Sequence, residues 1–341
     1  MYSDIPLWLS ILFMVGGFVA LAWSSDAFVD GASVVARMLG ISPFIIGMVI
    51  IGFGTSAPEL CVSLMSGLSD HANLSLGNAY GSCVFNIAAI LGIASLIRPL
   101  RVKPETARYA SPVLALLALV SLFMLADGVC SRIDALVLLA LFAVLMPLYC
   151  WFDQRNSEKG VKKNVSAVPV VYSQRELMIA GVKLVGGLAV LIGSSHVLVW
   201  GAVDFARAIG VSELMIGLTI IAAGTSLPEL ASAVASARRG QHEFVLGNII
   251  GSNLFNTLAV VGLSSVISPA RDFSRYILSR DLPLIAVLST MILVFGVNWR
   301  HPRRSGVFNR FEGLAWLVVF AVYMAFVIYT ETHRGENPCR T

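Results

Sequence analysis

Two stretches of the chain carry one pattern, 170 positions apart: GFGTSAPELCVSLMSGLSDHANLSLGNAYGSCVFNIAAILGIASLIRPL at Gly52–Leu100 and AAGTSLPELASAVASARRGQHEFVLGNIIGSNLFNTLAVVGLSSVISPA at Ala222–Ala270. They align without a gap and share 19 identities in 49 positions. The polar and helix-breaking identities are Gly54/Gly224, Thr55/Thr225, Ser56/Ser226, Pro58/Pro228, Glu59/Glu229, Asn78/Asn248, Ser82/Ser252 and Asn86/Asn256. A hydrophobic chain that repeats a carboxylate, hydroxyls and an amide predicts one site built from two halves.

Composition predicts that this site lies in a membrane. The 341 residues are 57% hydrophobic and only 13% charged, with a mean hydropathy of +0.81, whereas soluble domains carry about 25% charged residues. The net charge of +4 falls in short loops between apolar runs, which argues against a nucleic-acid-binding face. Five scattered cysteines form neither a disulfide framework nor a zinc pattern. The sequence therefore predicts an all-α polytopic membrane protein.

Ten apolar segments reach the roughly 20 residues that a membrane-crossing helix needs. They lie near 5–37, 43–68, 72–96, 105–126, 132–151, 175–207, 213–237, 242–267, 276–298 and 310–330. The polar segment between the fifth and sixth spans predicts a linker. The predicted domains are a first five-helix repeat at 1–151, a linker at 152–174 and a second five-helix repeat at 175–341.

The distribution of basic residues predicts the orientation, because short cytoplasmic loops carry an excess of Lys and Arg. With the linker on the cytoplasmic side, 16 Lys and Arg lie inside and 7 lie outside, while Lys183 lies within a span. The N-terminus, which lacks a small-residue cleavage site, is then expected outside as the start of a retained first span. The predicted location is the plasma membrane, which in bacteria is the inner membrane.

A repeat with five spans ends on the side opposite to where it began, so its second copy must enter the membrane upside down. The sequence therefore predicts ten transmembrane helices as two inverted five-helix repeats. Such repeats bring equivalent residues together near the bilayer midplane, where transporters of this kind bind their substrates. We expect Glu59 to face Glu229 there.

The segment Gly54–Glu59 predicts a broken helix. Pro58 has no N–H group, and its ring pushes away the carbonyl group of Gly54. A freed carbonyl within a membrane needs a partner in a cavity or a neighbouring helix, and a dehydrated cation can be that partner. Pro228 repeats the break in the second half.

The side chains around the two breaks predict oxygen ligands for hard cations. Helical spacing places Thr55 or Ser56 on the face of Glu59, and it places Asn78, Ser82 and Asn86 on one face of the next span. Ca²⁺ takes 6–8 oxygen ligands, whereas zinc and copper prefer His and Cys. Two carboxylates match a divalent charge, and hydroxyl and carbonyl groups could hold Na⁺. Polar residues elsewhere in long spans are secondary candidates, namely Asp26, Asp30, Asp204 and His196.

The motifs GTSAPEL with GNAYGSCVFN, and GTSLPEL with GNIIGSNLFN, resemble the repeats of the sodium/calcium exchanger family within the calcium/cation antiporter superfamily. The chain is similar to the compact prokaryotic form, since only the short linker stands where eukaryotic relatives have a regulatory domain. The resemblance implies that Glu59 and Glu229 bind Ca²⁺ together with the backbone carbonyls of Thr55 and Thr225. It implies Na⁺ ligands at Ser56, Ser82, Ser226 and Ser252, with Asn86 and Asn256 at the centre. Some family members have an acidic residue at one of these last two positions.

The predicted function is exchange of Na⁺ for Ca²⁺ by alternating access. The partners are small cations, without a permanently bound cofactor and without nucleic acid, and the sequence does not fix the oligomeric state. An H⁺-coupled cation exchanger is the alternative, because Glu59 and Glu229 could also carry protons. An intramembrane hydrolase is disfavoured, since neither motif contains a histidine or a nucleophile elbow. A passive channel and a structural membrane protein are the remaining alternatives, and Ca²⁺ uptake into vesicles distinguishes them.

Overall fold

The computed structural model describes residues 6–68, 72–161, 173–211, 220, 222–271, 273–301 and 304–332. The helices of the first half are α1 (Leu7–Leu39), α2 (Pro43–Thr55), α3 (Ala57–Leu68), α4 (Ala72–Val84, continued through Phe85–Ile90 to Leu91–Ile97), α5 (Thr106–Met124) and α6 (Arg132–Val161). The helices of the second half are α7 (Gln174–Ala208), α8 (Ala222–Gly224), α9 (Leu227–Arg238), α10 (His242–Ile267), α11 (Ile277–Gly296) and α12 (Arg310–Thr332). Four short strands lie between helices, at β1 (Leu100–Val102), β2 (Val129–Cys130), β3 (Ala270–Arg271) and β4 (Gly306–Phe308).

The helix count agrees with a polytopic membrane protein. Among the described residues, 8 helices are long and apolar enough to cross a membrane, and the bent pair α2 and α3 makes 9. The predicted span 213–237 lies partly outside the described residues, since only its last part is described, as α8 and α9. The helical membrane class is confirmed, while the number ten stays a prediction.

Two details differ from the sequence prediction. The fold contains short strands, so it is not purely helical; they form where the chain turns between spans and each pairs with another turn. In addition, α6 continues to Val161, ten residues beyond the predicted end of the fifth span at Trp151, because no helix breaker follows directly. The predicted linker therefore begins as helix, and residues 162–172 lie outside the described residues.

The strand pairs define the two ends of the helix bundle. β1 pairs with β4, and β2 pairs with β3, both antiparallel. Because α5 connects β1 to β2 and α11 connects β3 to β4, the two helices run in opposite directions. We call the end with β1 and β4 the inner face and the end with β2 and β3 the outer face.

Helices α1 and α7 also run antiparallel, and glycines allow their close approach. A Cβ atom on Gly17 would lie 2.8 Å from the backbone nitrogen of Leu198, and one on Gly187 would lie 2.8 Å from that of Phe28. Adding 170 to Gly17 gives Gly187, and subtracting 170 from Leu198 gives Phe28. The two contacts are therefore equivalent in the two halves. These glycine contacts of the α1–α7 interface are therefore the same when the two halves are interchanged.

Helices α4 and α10 form the centre of the bundle. The membrane-spanning part of α10 is buried along its whole length, and most of α4 is buried as well. Glycine makes this packing possible, since Gly247 and Gly251 of α10 lie against the backbone of α2 at Phe44 and Met48. Helices α1, α6, α7 and α12 lie at the periphery, where large apolar side chains are exposed. Such a surface suits contact with lipid tails rather than water.

Candidate cation-binding site

The two repeated motifs break their helices at equivalent places. The axis bends by 46° between α2 and α3, where Ser56 interrupts the helix just before Pro58. In the second half, the turn residues Thr225 and Ser226 interrupt the helix between α8 and α9, just before Pro228. The prediction of a broken helix in each half is therefore confirmed, for the reason that proline cannot donate to the preceding turn.

Each glutamate is held by a serine from the other half of the chain. Ser226 Oγ donates to Glu59 Oε1 over 2.9 Å, and Ser56 Oγ donates to Glu229 Oε1 over 2.8 Å. Both glutamates are buried, since Glu59 is 0% exposed and Glu229 is 1% exposed. Their carboxyl groups are close enough for their charges to interact. The two halves thus contribute equally to one buried acidic centre, as the sequence predicts.

The buried centre contains polar atoms that have no partner. Oε2 of Glu59 and of Glu229 accepts no hydrogen bond from any described residue. The amide groups of Asn86 and Asn256 also lack a partner for both the oxygen and the nitrogen, although both residues are buried. A buried polar group without a partner costs about 1–3 kcal/mol. Four such groups at equivalent positions of the two repeats indicate a site for a polar ligand.

Both asparagines lie on widened turns of the central helices. Asn86 falls in the π-helical segment Phe85–Ile90 of α4, and Asn256 falls in the equivalent segment Phe255–Val260 of α10. A π-helical turn is rare and occurs frequently at functional sites, because it re-aims side chains and loosens the backbone hydrogen bonds. The described residues contain a second equivalent pair of π-helical segments, at Thr106–Ala110 and Ile277–Asp281, so the functional argument for Asn86 and Asn256 depends on their buried, unpartnered amides.

The predicted hydroxyl ligands bond to groups on the broken segments and the central helices. Ser82 Oγ accepts from Ser226 Oγ over 3.1 Å, and Ser252 Oγ donates to the carbonyl of Gly52 over 3.4 Å. Thr55 Oγ1 donates to the carbonyl of Ile51 over 2.9 Å. Thr225 Oγ1 lies near the Glu59 carboxyl group and has no hydrogen-bond partner among the described residues. All ten predicted ligands therefore lie on the broken segments or on the central helices beside them.

Two asparagines that were not among the predicted ligands position the glutamates. Asn248 Nδ2 donates to the backbone carbonyl of Glu229 over 3.2 Å, and Asn78 Nδ2 donates to that of Glu59 over 3.4 Å. Asn248 Oδ1 also accepts from Thr55 over 3.3 Å. These amides tie the central helices to the broken ones. Their identity in both repeats was the sequence signal for this role.

The carbonyl group freed by Pro228 already accepts a hydrogen bond. Ser195 Oγ of α7 donates to the carbonyl of Gly224 over 3.0 Å, which is the group that Pro228 displaces. A neighbouring helix therefore provides the partner, one of the two options that the sequence leaves open.

The secondary candidates have partners other than the predicted ligands. Asp30 forms ion pairs with Lys183 and Arg239, and Asp26 pairs with Arg239 over 3.1 Å. Asp204 accepts from Ser10 Oγ over 2.6 Å. His196 is exposed, and its ring nitrogen Nδ1 contacts the carbonyl of Ile192.

A cavity in the outer half of the bundle is lined by Gly224 and Thr225 at the break of the second motif. Its volume is about 490 Å³, and its walls include Pro58, Val62, His196 and Trp200. Thr225, the one predicted ligand that is not fully buried, lies in the same wall. In the described part of the chain, no three His, Cys, Asp or Glu side chains converge as a transition-metal site would require. The donors at the centre are therefore carboxylate, hydroxyl, amide and carbonyl oxygens, which suit hard cations.

Comparisons with known proteins identify the family of the chain. The family model described as sodium/calcium exchanger protein matches the chain twice, at residues 9–151 and 179–329. A putative antiporter, CaxA of Alkalimonas amylolytica, is 37% identical over 92% of this chain and 96% of its own length. The inner membrane protein YrbG of Escherichia coli is 34% identical over 94% of this chain and 97% of its own length.

A solved structure has the same fold. It is the sodium-calcium exchanger NCX_Mj soaked with Na⁺ and Sr²⁺, with a TM-score of 0.78 and 27% identity, covering 94% of this chain and 99% of that one. The matched family model covers both halves of the chain and leaves out only the ends and the linker region. On this basis the chain belongs to the sodium/calcium exchanger family.

Proposed function

We propose that this protein exchanges Na⁺ for Ca²⁺ across the inner membrane by alternating access to one buried site. The observation that carries the proposal is the pair Glu59 and Glu229, each held by a serine of the other half and each with an unpartnered carboxylate oxygen. Relatives named as an antiporter and as sodium/calcium exchangers support the same activity.

The two halves act as inverted repeats around this site. Support comes from contacts that persist when the halves are interchanged, such as the Ser226–Glu59 and Ser56–Glu229 hydrogen bonds. The two matches of the family model, which begin 170 residues apart, give independent support. The first repeat comprises 1–151, the second comprises 175–341, and the linker between them lies in the cytoplasm with the N-terminus outside. The excess of Lys and Arg in the inner loops supports this orientation.

The ligands divide by charge. Glu59 and Glu229 balance the two charges of Ca²⁺, and the backbone carbonyls of Thr55 and Thr225 complete its shell. The serine hydroxyls take Na⁺, with the amide oxygens of Asn86 and Asn256 between them. The Na⁺ ligands among the serines are Ser56, Ser82, Ser226 and Ser252.

Exchange follows from the cost of burying charge. Two carboxylates without cations are too costly to enclose away from water, so the protein changes its accessible side only when Ca²⁺, Na⁺ or protons neutralise them. Ca²⁺ leaving on one side must therefore be replaced before the site can return. Because the Na⁺ gradient usually points inward, the expected direction is Ca²⁺ extrusion.

The test is Na⁺-dependent ⁴⁵Ca²⁺ flux in proteoliposomes. Glu59→Gln and Glu229→Gln each remove one of the two charges and are expected to abolish the flux. Glu105→Gln makes the same chemical change at an exposed position of the inner face and is expected to retain it. Full flux in either of the first two variants would refute the proposal.

Proton coupling is the second candidate, because a carboxylate oxygen without a partner can also accept a proton. The same vesicles distinguish the two cases. Sodium coupling requires Ca²⁺ flux under a Na⁺ gradient at equal pH on both sides. Flux under a pH gradient in the absence of Na⁺, with none under a Na⁺ gradient, would favour the proton instead.

A further inference from the structure

The positions equivalent to the lining of the outer cavity, found by shifting residue numbers by 170, lie towards the inner face. His196 and Trp200 in the wall of the outer cavity correspond to Asp26 and Asp30 of α1. The inner side therefore has two carboxylates at the positions where the outer side has the imidazole of His196 and the indole of Trp200. The two access routes to the site therefore differ in charge.

The inner route is closed in this structure. Thr55 and Val29, the counterparts of Thr225 and Val199 in the outer cavity wall, are both 0% exposed. At the position of the acidic lining, Arg239 bridges both aspartates: its Nη2 lies 3.1 Å from Asp26 Oδ1, and its Nη1 bonds Asp30 Oδ1. The guanidinium group thus balances the charge of two carboxylates whose side chains are 43% and 44% exposed.

The segment that carries Arg239 docks on α1 at more than one point. It is the turn between α9 and α10, in which Gly240 has a φ of 71°. Gln241 Nε2 donates to Ser33 Oγ over 2.7 Å, one helical turn beyond Asp30. Lys183 Nζ of α7 lies 3.5 Å from Asp30 Oδ2, so the ion-pair cluster also includes α7. The cluster therefore joins the α1–α7 pair to the end of a helix that carries the site.

The first half has no equivalent of this cluster in its sequence. The positions that correspond to the turn are Ser69, Asp70 and His71, which lie outside the described residues and offer no guanidinium group. The positions that correspond to Asp26 and Asp30 are His196 and Trp200 rather than two aspartates. Internal symmetry therefore explains the site but not the ion pairs, which are a feature of the inner face alone.

We infer that Arg239, Asp26 and Asp30 form a latch that closes the inner access route while the outer route is open. For the protein to change its accessible side, α1 must separate from the end of α9, which breaks the ion pairs. The two freed carboxylates then line the inner entrance and attract cations to it. Partly exposed ion pairs are weak, with a median contribution of about 0–1 kcal/mol in proteins, so such a latch can open in every transport cycle. This inference rests on the proposed alternating access.

Two matched cysteine positions test the latch. Val29→Cys reports on the inner route and Val199→Cys on the outer route, each in a variant of the full chain whose five native cysteines are replaced. A membrane-impermeant maleimide is applied to the inner or the outer side of vesicles. Before the latch is broken, we expect rapid labelling at Val199→Cys and slow labelling at Val29→Cys.

Arg239→Gln is then added to each reporter. We expect Val29→Cys to label about three- to tenfold faster and Val199→Cys to label more slowly, since both report one equilibrium. Glu243→Gln is the control, because it breaks the inner-face ion pair with Lys103 without touching α1. It should change neither rate.

The two reporters separate a latch from general loosening. Faster labelling at both positions would mean that Arg239 only supports packing, and unchanged labelling at both would mean that the ion pairs do not affect access. Either result would overturn the inference. Labelling requires no transport. The latch can therefore be tested even if the protein shows no Na⁺-dependent Ca²⁺ flux.

Discussion

Individual residues of the site depend on the opposite half of the chain. The carboxyl group of Glu59 is oriented by Ser226, and that of Glu229 is oriented by Ser56. A hydrogen bond to a charged group contributes about 1.5–3 kcal/mol, more than one between neutral groups. The hydrogen bond to each carboxyl group therefore comes from the other half, while Asn78 and Asn248 bond the glutamate backbones within their own halves.

Removing either serine hydroxyl should weaken cation binding. Ser56→Ala and Ser226→Ala are each expected to raise the Ca²⁺ concentration for half-maximal flux roughly tenfold or more, the ratio that corresponds to a lost charge-assisted bond. Ser66→Ala is the control, because this buried serine of α3 bonds only the carbonyl of Val62 in its own helix. Equal behaviour of all three variants in the ⁴⁵Ca²⁺ assay would contradict the role of the cross-bonds.

The unpartnered asparagines predict a conflict between stability and activity. Asn86→Leu and Asn256→Leu remove buried amides that have no partner, so we expect loss of Ca²⁺ flux together with an increase in Tm of roughly 2–4 °C per kcal/mol gained. Asn248→Leu provides the contrast, because its amide bonds Glu229, Ser232 and Thr55, and its Tm should fall. Thermal unfolding in detergent without added Ca²⁺ measures the effect. A lower Tm for the first two variants would refute the assignment.

At the scale of elements, adjacent glycines in one helix have different roles. In α1 and α7, Gly17 and Gly187 lie against the partner backbone, whereas a Cβ on Gly16 or Gly186 would meet nothing within 4 Å. Only one glycine of each pair is thus required for the close approach of the two helices. Gly16 and Gly186 are not needed for this contact.

This difference predicts opposite results for neighbouring substitutions. Gly17→Ala and Gly187→Ala would force the helices apart at a cost of about 1–3 kcal/mol and should lower Tm in detergent. Gly16→Ala and Gly186→Ala fill open space and improve helix propensity, so their Tm should stay or rise. If all four variants unfold at the same temperature, the α1–α7 contact does not depend on these glycines.

At the scale of the whole molecule, the halves are joined by contacts rather than by the chain. Helix α1 packs on α7, α5 packs on α11, and each two-stranded sheet takes one strand from either half. The site itself is shared between the halves. Covalent continuity through the linker is therefore not needed to keep the assembled protein together.

Cutting the linker should leave the transporter assembled. With a protease site inserted between residues 162 and 172, we expect the cleaved halves to elute together in mild detergent and to retain Ca²⁺ flux. The uncut form of the same variant is the control. Separation of the halves on size exclusion would indicate that the interface is weaker than the contacts imply.

The same variant tests the orientation. If the linker is cytoplasmic, protease should cut it in inside-out vesicles and leave it intact in right-side-out vesicles. The opposite result would place the N-terminus inside and reverse the assignment of inner and outer faces.

The sequence by itself determined the medium, the repeat and the donor chemistry. Hydrophobic composition requires a membrane, and two gapless copies of a Pro-Glu motif require two equivalent broken helices, because proline prevents the helical hydrogen bond wherever it occurs. The π-helical turns at Asn86 and Asn256 could not be predicted, because they depend on packing among α4, α10 and their neighbours. The same holds for the capture of the Gly224 carbonyl by Ser195.

Only the tertiary structure decided which polar residues act together. Asp26, Asp30, Lys183 and Arg239 lie far apart in the sequence, and only the packing of α1 against α7 and the end of α9 brings them into one cluster. Repetition identifies residues that both halves need, so it cannot detect a cluster present at one face alone. The partners of a charged side chain are set by distances in the fold, and these distances separate the inner-face ion pairs from the centre that both halves share.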